Sequence, residues 1–146
     1  MENICSLSGL GQFSCGESRG VTGNVSILEC NRDIQTHLRS CHLSRLNITE
    51  YELILARAGQ FNLNRDQMVN MTVCPRHRDN LGRYFRPLRS CQYPVHHAGP
   101  VSRCSGRDVI NIMMSEDCLK LYGVLIHIGS RKYSSSFLLM DISYIY

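Results

Sequence analysis

The residues with the clearest chemical potential lie between positions 74 and 97, where two short Cys/His pairs occur. The first reads Cys-Pro-Arg-His, and thirteen residues later the second reads Cys-Gln-Tyr-Pro-Val-His-His. Thiolates and imidazoles in two short chelate loops are donors that Zn²⁺ takes up in a tetrahedral site. The spacing therefore predicts one Zn²⁺ with four ligands, which are Cys74, His77, Cys91 and either His96 or His97.

Four protein donors close the coordination sphere of zinc, so the predicted site is structural rather than catalytic. Possible replacements for a histidine ligand are Cys41, Cys104 and Cys118. The simpler alternative is a pair of buried cysteines beside surface histidines in a basic loop. A catalytic Cys/His pair, Cys74 with His77 or Cys118 with His127, is disfavoured because no flanking sequence suggests an oxyanion hole. We therefore predict a protein that is not an enzyme.

The segment from Pro75 to Arg107 is strongly basic. It holds seven arginines and one acid, Asp79, a local charge of +6 in a chain whose formal net charge is +4. The planar guanidinium group suits bidentate contacts with phosphates, and interleaved aromatic rings suit packing on sugars or bases. The predicted nucleic-acid-binding residues are Arg76, Arg78, Arg83, Tyr84, Arg86, Arg89, Arg103 and Arg107. In the alternative, the aromatic rings pack inward onto the zinc site.

Two helices are predicted before the first Cys/His pair. Asn47 with Glu50 matches an Asn variant of the capping box, and Gly59 marks the end of this helix. Apolar residues recur on one of its faces, namely Tyr51, Ile54, Leu55 and Ala58. A second helix begins at Asn64, and the short linker makes the pair a helical hairpin. Its polar residues are types that read base edges, although an ordinary hairpin packed on the zinc loop is the simpler interpretation.

The first Cys/His pair is predicted to open a third helix. Pro75 lacks a backbone donor and therefore suits the first helical position. Cys74 then becomes the N-cap, and Gly82 ends the helix. This geometry places the Cys74 sulfur and the His77 imidazole close together on the first turn.

The C-terminal part of the chain predicts a small sheet. Val109 to Met114 and Val124 to Ile128 are strand candidates, separated by a helix that Ser115 caps and Gly123 ends. The unit is too short for a parallel crossover, which favours antiparallel or mixed pairing. Residues 134–146 form a further strand or an apolar tail. The predicted fold is α+β, a small zinc-stabilised domain with a helical hairpin, a Cys/His loop and a short C-terminal sheet.

The chain organisation follows from these elements. Residues 1–40, punctuated by glycines, are predicted to be a weakly structured N-terminal segment with one strand-like stretch and one short helix. Residues 41–133 form the zinc-stabilised binding domain, and residues 134–146 form the C-terminal strand or tail.

Composition and cysteine content bear on the cellular compartment. The chain is 43% hydrophobic and 19% charged, which is typical of a globular protein. Eight cysteines and the triplets at Asn24, Asn47 and Asn70 also fit a secreted, disulfide-bonded glycoprotein. The first thirty residues lack the basic region and apolar stretch of a signal peptide, which favours reduced thiols. We therefore predict an intracellular, nuclear protein without a membrane span.

These features favour a non-catalytic, zinc-dependent nucleic-acid-binding module, with DNA ahead of RNA and a role in transcription regulation. Zinc would hold the basic loop rigid so that its arginines face phosphates. The alternative is a zinc-scaffolded protein-interaction module whose arginines bind an acidic partner.

Overall fold

The computed structural model describes residues 4–10, 13–87 and 109–130 of the chain. These residues contain five α-helices, two strands and one 3-10 turn. The elements are β1 (Val25–Ser26), the 3-10 turn (Ile27–Glu29), α1 (Gln35–Ser40), α2 (Glu50–Arg57), α3 (Arg65–Met68), β2 (Thr72–Val73), α4 (Pro75–Leu81) and α5 (Ile112–Tyr122). The α+β class is confirmed. No helix in these ranges is long and apolar enough to cross a bilayer.

The chain divides into two compact units. The first comprises residues 1–40 and 44–86, and the second comprises residues 41–43 and 87–146. All described elements except α5 belong to the first unit. The domain boundaries predicted at residues 40 and 133 stay predictions.

A two-stranded antiparallel sheet ties the N-terminal part of the first unit to the segment that leads into Cys74. Val25 in β1 lies opposite Val73 in β2, and Ser26 lies opposite Thr72. On the other side of β2, the Ser6 amide donates a hydrogen bond to the Thr72 carbonyl at 2.8 Å. The backbone just before Cys74 is thus held by two stretches of chain that lie far away in sequence.

The core of the first unit gathers around α2, which packs on α4 and on the 3-10 turn. Three residues of the predicted apolar face of α2, Ile54, Leu55 and Ala58, are buried, and Tyr51 packs partly buried against them. The buried cluster consists of Cys5, Leu7, Ile27, Cys30, Ile54, Leu55, Ala58, Val73, Cys74 and Leu81. Four of these residues come from the segment for which the glycine-rich sequence predicted weak structure.

The N-terminus of α2 differs from the prediction. Thr49 is the N-cap, and its hydroxyl accepts from the Glu52 amide at 3.3 Å while the Glu52 carboxylate accepts from the Thr49 amide at 3.2 Å. The predicted cap at Asn47 with Glu50 is therefore wrong. Both pairs fit the capping box, and the choice is made by burial, since Glu50 is completely enclosed.

The helix after the linker begins where the sequence predicts but is short. Asn64 caps α3, and its side chain and that of Gln67 exchange hydrogen bonds of 2.8 Å with the opposite backbone amides. The helix has only one turn and buries no residue. The predicted hairpin paired α2 with the helix that begins at Asn64. In the structure the helix that packs on α2 is α4.

In the second unit, a helix replaces the first predicted strand. α5 begins after Asn111, whose side chain accepts from the Met114 amide at 2.9 Å. The helix therefore includes the last three of the six residues from Val109 to Met114 that were predicted to be extended. Gly123 ends the helix in the left-handed conformation, with φ of 67°, as predicted.

Ser115 and the stretch after α5 also differ from the prediction. Ser115 is not a cap but a buried residue within the helix, where its hydroxyl donates to the Ile126 carbonyl at 2.6 Å. Within residues 109–130 no strand forms, and Ile110 instead makes single backbone hydrogen bonds to Gly129 and Ser130. The predicted strand from Val124 to Ile128 is wrong because strand propensity needs a partner ladder to act. Residues 134–146 lie outside the described residues.

Gly82 at the end of α4 is expected to reject a side chain. A Cβ atom there would lie 2.4 Å from the backbone oxygen of Arg78, which the helix holds in place. We expect Gly82→Ala to lower the free energy of unfolding by about 1–3 kcal/mol in urea titrations, as overpacking does. The control is Gly23→Ala, because a Cβ at Gly23 meets nothing within 4 Å. Equal unfolding midpoints for the two variants would contradict this account.

Candidate metal centre

Four side chains with metal-ligand atoms converge in the first unit, and we refer to them as the donor cluster: Cys5, Cys15, Cys74 and His77. The four ligand atoms all lie within 4.8 Å of one another. From His77 Nδ1, the Sγ atoms of Cys74, Cys15 and Cys5 are 3.1, 3.6 and 3.7 Å away. The donor cluster could hold a metal ion.

The first turn of α4 supplies two of the donors. Cys74 is the N-cap, Pro75 is the first helical residue, and the Cys74 sulfur accepts from the His77 amide at 3.4 Å. Residues three apart on a helix lie on the same face, so the imidazole points back toward the sulfur. The prediction that Cys74 and His77 lie close together is confirmed.

Cys5 is placed by the chain segment that runs beside β2. The Thr72 hydroxyl donates to the Ile4 carbonyl at 2.6 Å, and the Cys74 amide donates to the Cys5 sulfur at 3.3 Å. These contacts join the residue before Cys5 to β2 and Cys5 itself to the start of α4. The position of Cys5 thus depends on the same backbone that presents Cys74.

Cys15 is held by its chain neighbours, which contact α4. The Arg76 amide donates to the Gly16 carbonyl at 3.1 Å. The Arg76 guanidinium donates to the Ser14 hydroxyl at 3.0 Å and to the Cys15 carbonyl at 3.4 Å. A Cβ atom on Gly16 would lie 2.9 Å from that guanidinium group. Arg76 therefore holds the loop that brings Cys15 to the donor cluster.

Burial raises the pKa values of the Cys5 and Cys74 thiols, and hydrogen bonds from backbone amides lower them. Burial raises the pKa of the Cys5 thiol to about 11, although hydrogen bonds from the Cys74 and Leu7 amides oppose it. Burial also raises the pKa of the Cys74 thiol, but the amides of His77 and Gly16 and the two neighbouring thiols outweigh burial and lower it below its usual value. Amide donors favour the thiolate, which is the form that binds metals.

His77 is buried, and its imidazole is in the neutral form. Burial lowers the pKa of its imidazole, the charge of Arg76 lowers it further, and the backbone of Phe13 raises it only in part. Among the described residues, no group meets hydrogen-bond geometry with His77 Nε2. A neutral imidazole whose Nδ1 faces three sulfurs is in the state required of a metal ligand.

A buried ion network fixes α4 against α2 and the N-terminal loop. The enclosed Glu50 carboxylate accepts from Arg78 at 2.9 and 3.0 Å and from the Arg32 side chain at 2.7 Å. Arg32 also donates to Asp79 at 3.0 Å, and Asp79 accepts from the Ser18 hydroxyl at 2.7 Å. Burial raises the pKa of Glu50, but these hydrogen bonds outweigh it and lower that pKa to about 2.

Arg57 secures the other end of α4. Its buried guanidinium donates to the Leu81 and Gly82 carbonyls at 2.9 Å each and lies 4.0 Å from the centre of the Phe85 ring. It also donates to His37 Nε2 at 2.8 Å. Burial and the charge of Arg57 lower the pKa of His37 to about 4, so the imidazole is the neutral acceptor. A cation at the helix C-terminus is a favourable arrangement.

The donor cluster contains two of the predicted ligands and two others. The predicted second pair, Cys91 with His96 or His97, lies outside the described residues and stays a prediction. Cys5 and Cys15 were not predicted as ligands, because they are ten residues apart in a glycine-rich stretch without a chelate spacing. Only its hydrogen bonds to Thr72 and Arg76 show that this stretch returns to α4. The possible replacement ligands fall elsewhere: Cys41 and Cys118 are buried outside the donor cluster, and Cys104 is outside the described residues.

The described arginines of the basic segment have unequal environments. Arg78 is bound to Glu50 with its side chain 19% exposed, and Arg76 is bonded to the Cys15 loop. Both guanidinium groups thus make hydrogen bonds within the protein, and the fixed array of arginines that faces phosphates stays a prediction. Arg86 is exposed, while Phe85 is buried with its ring against the Arg57 guanidinium. The alternative in which the aromatic rings pack onto the zinc site stays a prediction. The structure does not describe Arg89, Tyr93, Arg103 and Arg107.

Tyr84 is the centre of a small surface group. Its side chain is 37% exposed, and the guanidinium carbons of Arg19 and Arg83 lie 3.6 and 5.3 Å from the centre of its ring. Arg19 was not predicted as a binding residue, since it lies far from the basic segment in sequence. We call these three residues and Arg86 the basic aromatic patch.

No disulfide forms among the six described cysteines. In comparisons with known proteins, no family model, curated protein or solved structure matches this chain.

The buried ion network gives a prediction for stability. Replacing Glu50 with Gln leaves Arg32 and Arg78 without their common counter-charge, and removing one partner of a buried ion pair costs about 3 kcal/mol or more. We expect Glu50→Gln to lower the free energy of unfolding by about that amount in urea titrations at neutral pH. Glu29→Gln is the matched control, because Glu29 is exposed. A Glu50→Gln variant as stable as the control would refute the role of the network.

Proposed function

We propose that the donor cluster binds one structural Zn²⁺. Zinc–sulfur bonds of about 2.3 Å and zinc–nitrogen bonds of about 2.0 Å in a tetrahedron give nitrogen–sulfur edges of roughly 3.5 Å and sulfur–sulfur edges of roughly 3.8 Å. The separations of 3.1 to 3.7 Å around His77 Nδ1 agree with this figure. Three sulfurs and one imidazole nitrogen suit zinc, whereas Mg²⁺ and Ca²⁺ prefer oxygen. This convergence is the observation that carries the proposal.

The surroundings of the sulfurs support a structural role. Amide donors such as those of Cys74 and His77 stabilise thiolates, and four protein donors leave no position for an activated water. The metal would cross-link the N-terminal residues Cys5 and Cys15 to α4 across a long loop of chain, so metal binding and folding are coupled. The proposed protein is accordingly non-catalytic.

We expect the purified full-length protein to carry one equivalent of Zn²⁺ in the donor cluster, measured by elemental analysis. Cys15→Ala and Cys74→Ala should each lower the zinc content and the thermal midpoint, because each removes one thiolate ligand and metal binding is coupled to folding. Cys30→Ala is the control, since Cys30 is buried and free but outside the donor cluster. Full zinc content in both ligand variants would refute the site. A further equivalent that is lost in Cys91→Ser would make the second predicted pair a separate site.

The partner proposed for this module is nucleic acid, with DNA ahead of RNA. The proposal includes a nuclear location and a role in transcription regulation. The basic aromatic patch is the surface that supports it. Arg19 stacks on Tyr84, an arrangement that orients a guanidinium group while its donors still face solvent. Tyr84 lies three residues beyond the last residue of α4, so the proposed metal site would stiffen the backbone on which the patch rests.

The binding proposal predicts a measurable salt dependence. Replacing both Arg83 and Arg86 with Ala should weaken DNA binding in fluorescence anisotropy titrations, and it should reduce the slope of log affinity against log salt by up to about two. Arg45→Ala is the control, because Arg45 is an exposed arginine outside the patch. Weak affinity that salt does not alter would eliminate the proposal. If DNA binding is weak and independent of salt but the protein binds an acidic peptide, the protein-interaction alternative is favoured.

A further inference from the structure

An open cleft lies directly beside the donor cluster. Its volume is about 430 Å³, and its walls include Cys5, Cys15 and Cys74 together with polar side chains such as Glu17 and Thr22. Cys15 is exposed, whereas the other three donors are buried. One sulfur of the cluster can therefore be reached by a small molecule from solvent, and two more sulfurs line the same space.

We propose that Cys15 is a site of reversible oxidation by hydroperoxides, and that its oxidation releases the metal. This inference rests on the proposed zinc site, because coordination would keep Cys15 as a thiolate, the form that reacts. An accessible thiolate beside a second sulfur is the arrangement of redox-sensing cysteines. The structure supplies that second sulfur, since every ligand atom of the cluster lies within 4.8 Å of Cys15 Sγ.

The chemistry balances with a hydroperoxide as the oxidant. The Cys15 thiolate attacks one peroxide oxygen, a sulfur–oxygen bond forms, the oxygen–oxygen bond breaks, and the leaving group takes a proton. With hydrogen peroxide the products of this step are a sulfenic acid and water. The thiolate of Cys5 or Cys74 then attacks the Cys15 sulfur and expels a second hydroxide, which is protonated to water. The two sulfurs are oxidised to a disulfide, and the peroxide is reduced.

Metal release follows from the loss of donors. A disulfide between Cys15 and a neighbouring sulfur removes two of four ligands, and the remaining cysteine and His77 hold zinc weakly. A thiol reductant restores both thiolates and with them the site. The chain segments that Cys5 and Cys15 bring to α4 would lose their cross-link during this cycle.

Other described cysteines are poorly suited to the same reaction. Cys30 and Cys118 are fully buried, and burial raises the pKa of each thiol to about 11. Both therefore remain protonated and shielded from solvent at neutral pH. The exposure of Cys15, the cleft and the neighbouring sulfurs together distinguish it from these two residues.

The test is the release of zinc from the loaded full-length protein by hydrogen peroxide, followed with a chromophoric chelator. Peptide mass spectrometry then identifies the first disulfide, and dithiothreitol tests its reversal. We expect a disulfide that contains Cys15, with zinc lost in parallel. The key variant is Cys15→His, which keeps four donors but removes the exposed sulfur. Its zinc release should be slower by about tenfold or more, whereas Cys118→Ala should match the wild type.

The outcomes separate this inference from the proposed function. Protein without zinc before peroxide is added would overturn the zinc site and the inference together. Zinc-loaded Cys15→His that releases metal as fast as the wild type would overturn only the inference. A first disulfide that excludes Cys15 would do the same. If Cys15→His fails to bind zinc, the first disulfide of the wild-type protein still decides the question. A disulfide that contains Cys15 supports the inference, and one that excludes Cys15 overturns it.

Discussion

The return of the N-terminal chain to the first turn of α4 is the constraint on which the first unit depends. The hydrogen bonds that join Ile4 and Ser6 to Thr72, together with the one from Arg76 to Gly16, bring two distant cysteines to Cys74 and His77. Three thiols whose sulfur atoms lie within 4.8 Å of one another repel each other once they are ionised. The metal ion proposed for the donor cluster would neutralise that repulsion.

The buried charges elsewhere in the first unit serve the same helix. Glu50 accepts from Arg32 and Arg78 on one side of α4, and Arg57 binds the carbonyls at its end. A helix of seven residues is too short to be stable by its own hydrogen bonds. Tertiary contacts at both ends therefore define its position, and with it the distance between the Cys74 and His77 donors. The basic aromatic patch follows directly from the end of this helix.

Local patterns predicted local structure well in this chain. The Cys-Pro-Arg-His segment predicted the cap, the first turn and the end of α4, because N-cap geometry, a first-position proline and a terminal glycine act within a few residues. The reciprocal cap at Asn64 and the end of α5 at Gly123 are further examples. Where two local motifs competed, as at Asn47 and Thr49, burial of Glu50 decided between them. The two strand predictions in the second unit failed because extended segments need a partner that propensity does not provide.

The sequence by itself determined the α+β class and two of the four donors, since both depend on interactions between residues a few positions apart. Only the tertiary structure decided that Cys5 and Cys15 complete the donor cluster, that Arg78 is paired with Glu50, and that Arg19 lies on Tyr84. These are contacts between segments that are separated by tens of residues. They arise from chain closure and burial, and no spacing rule within a single segment encodes them.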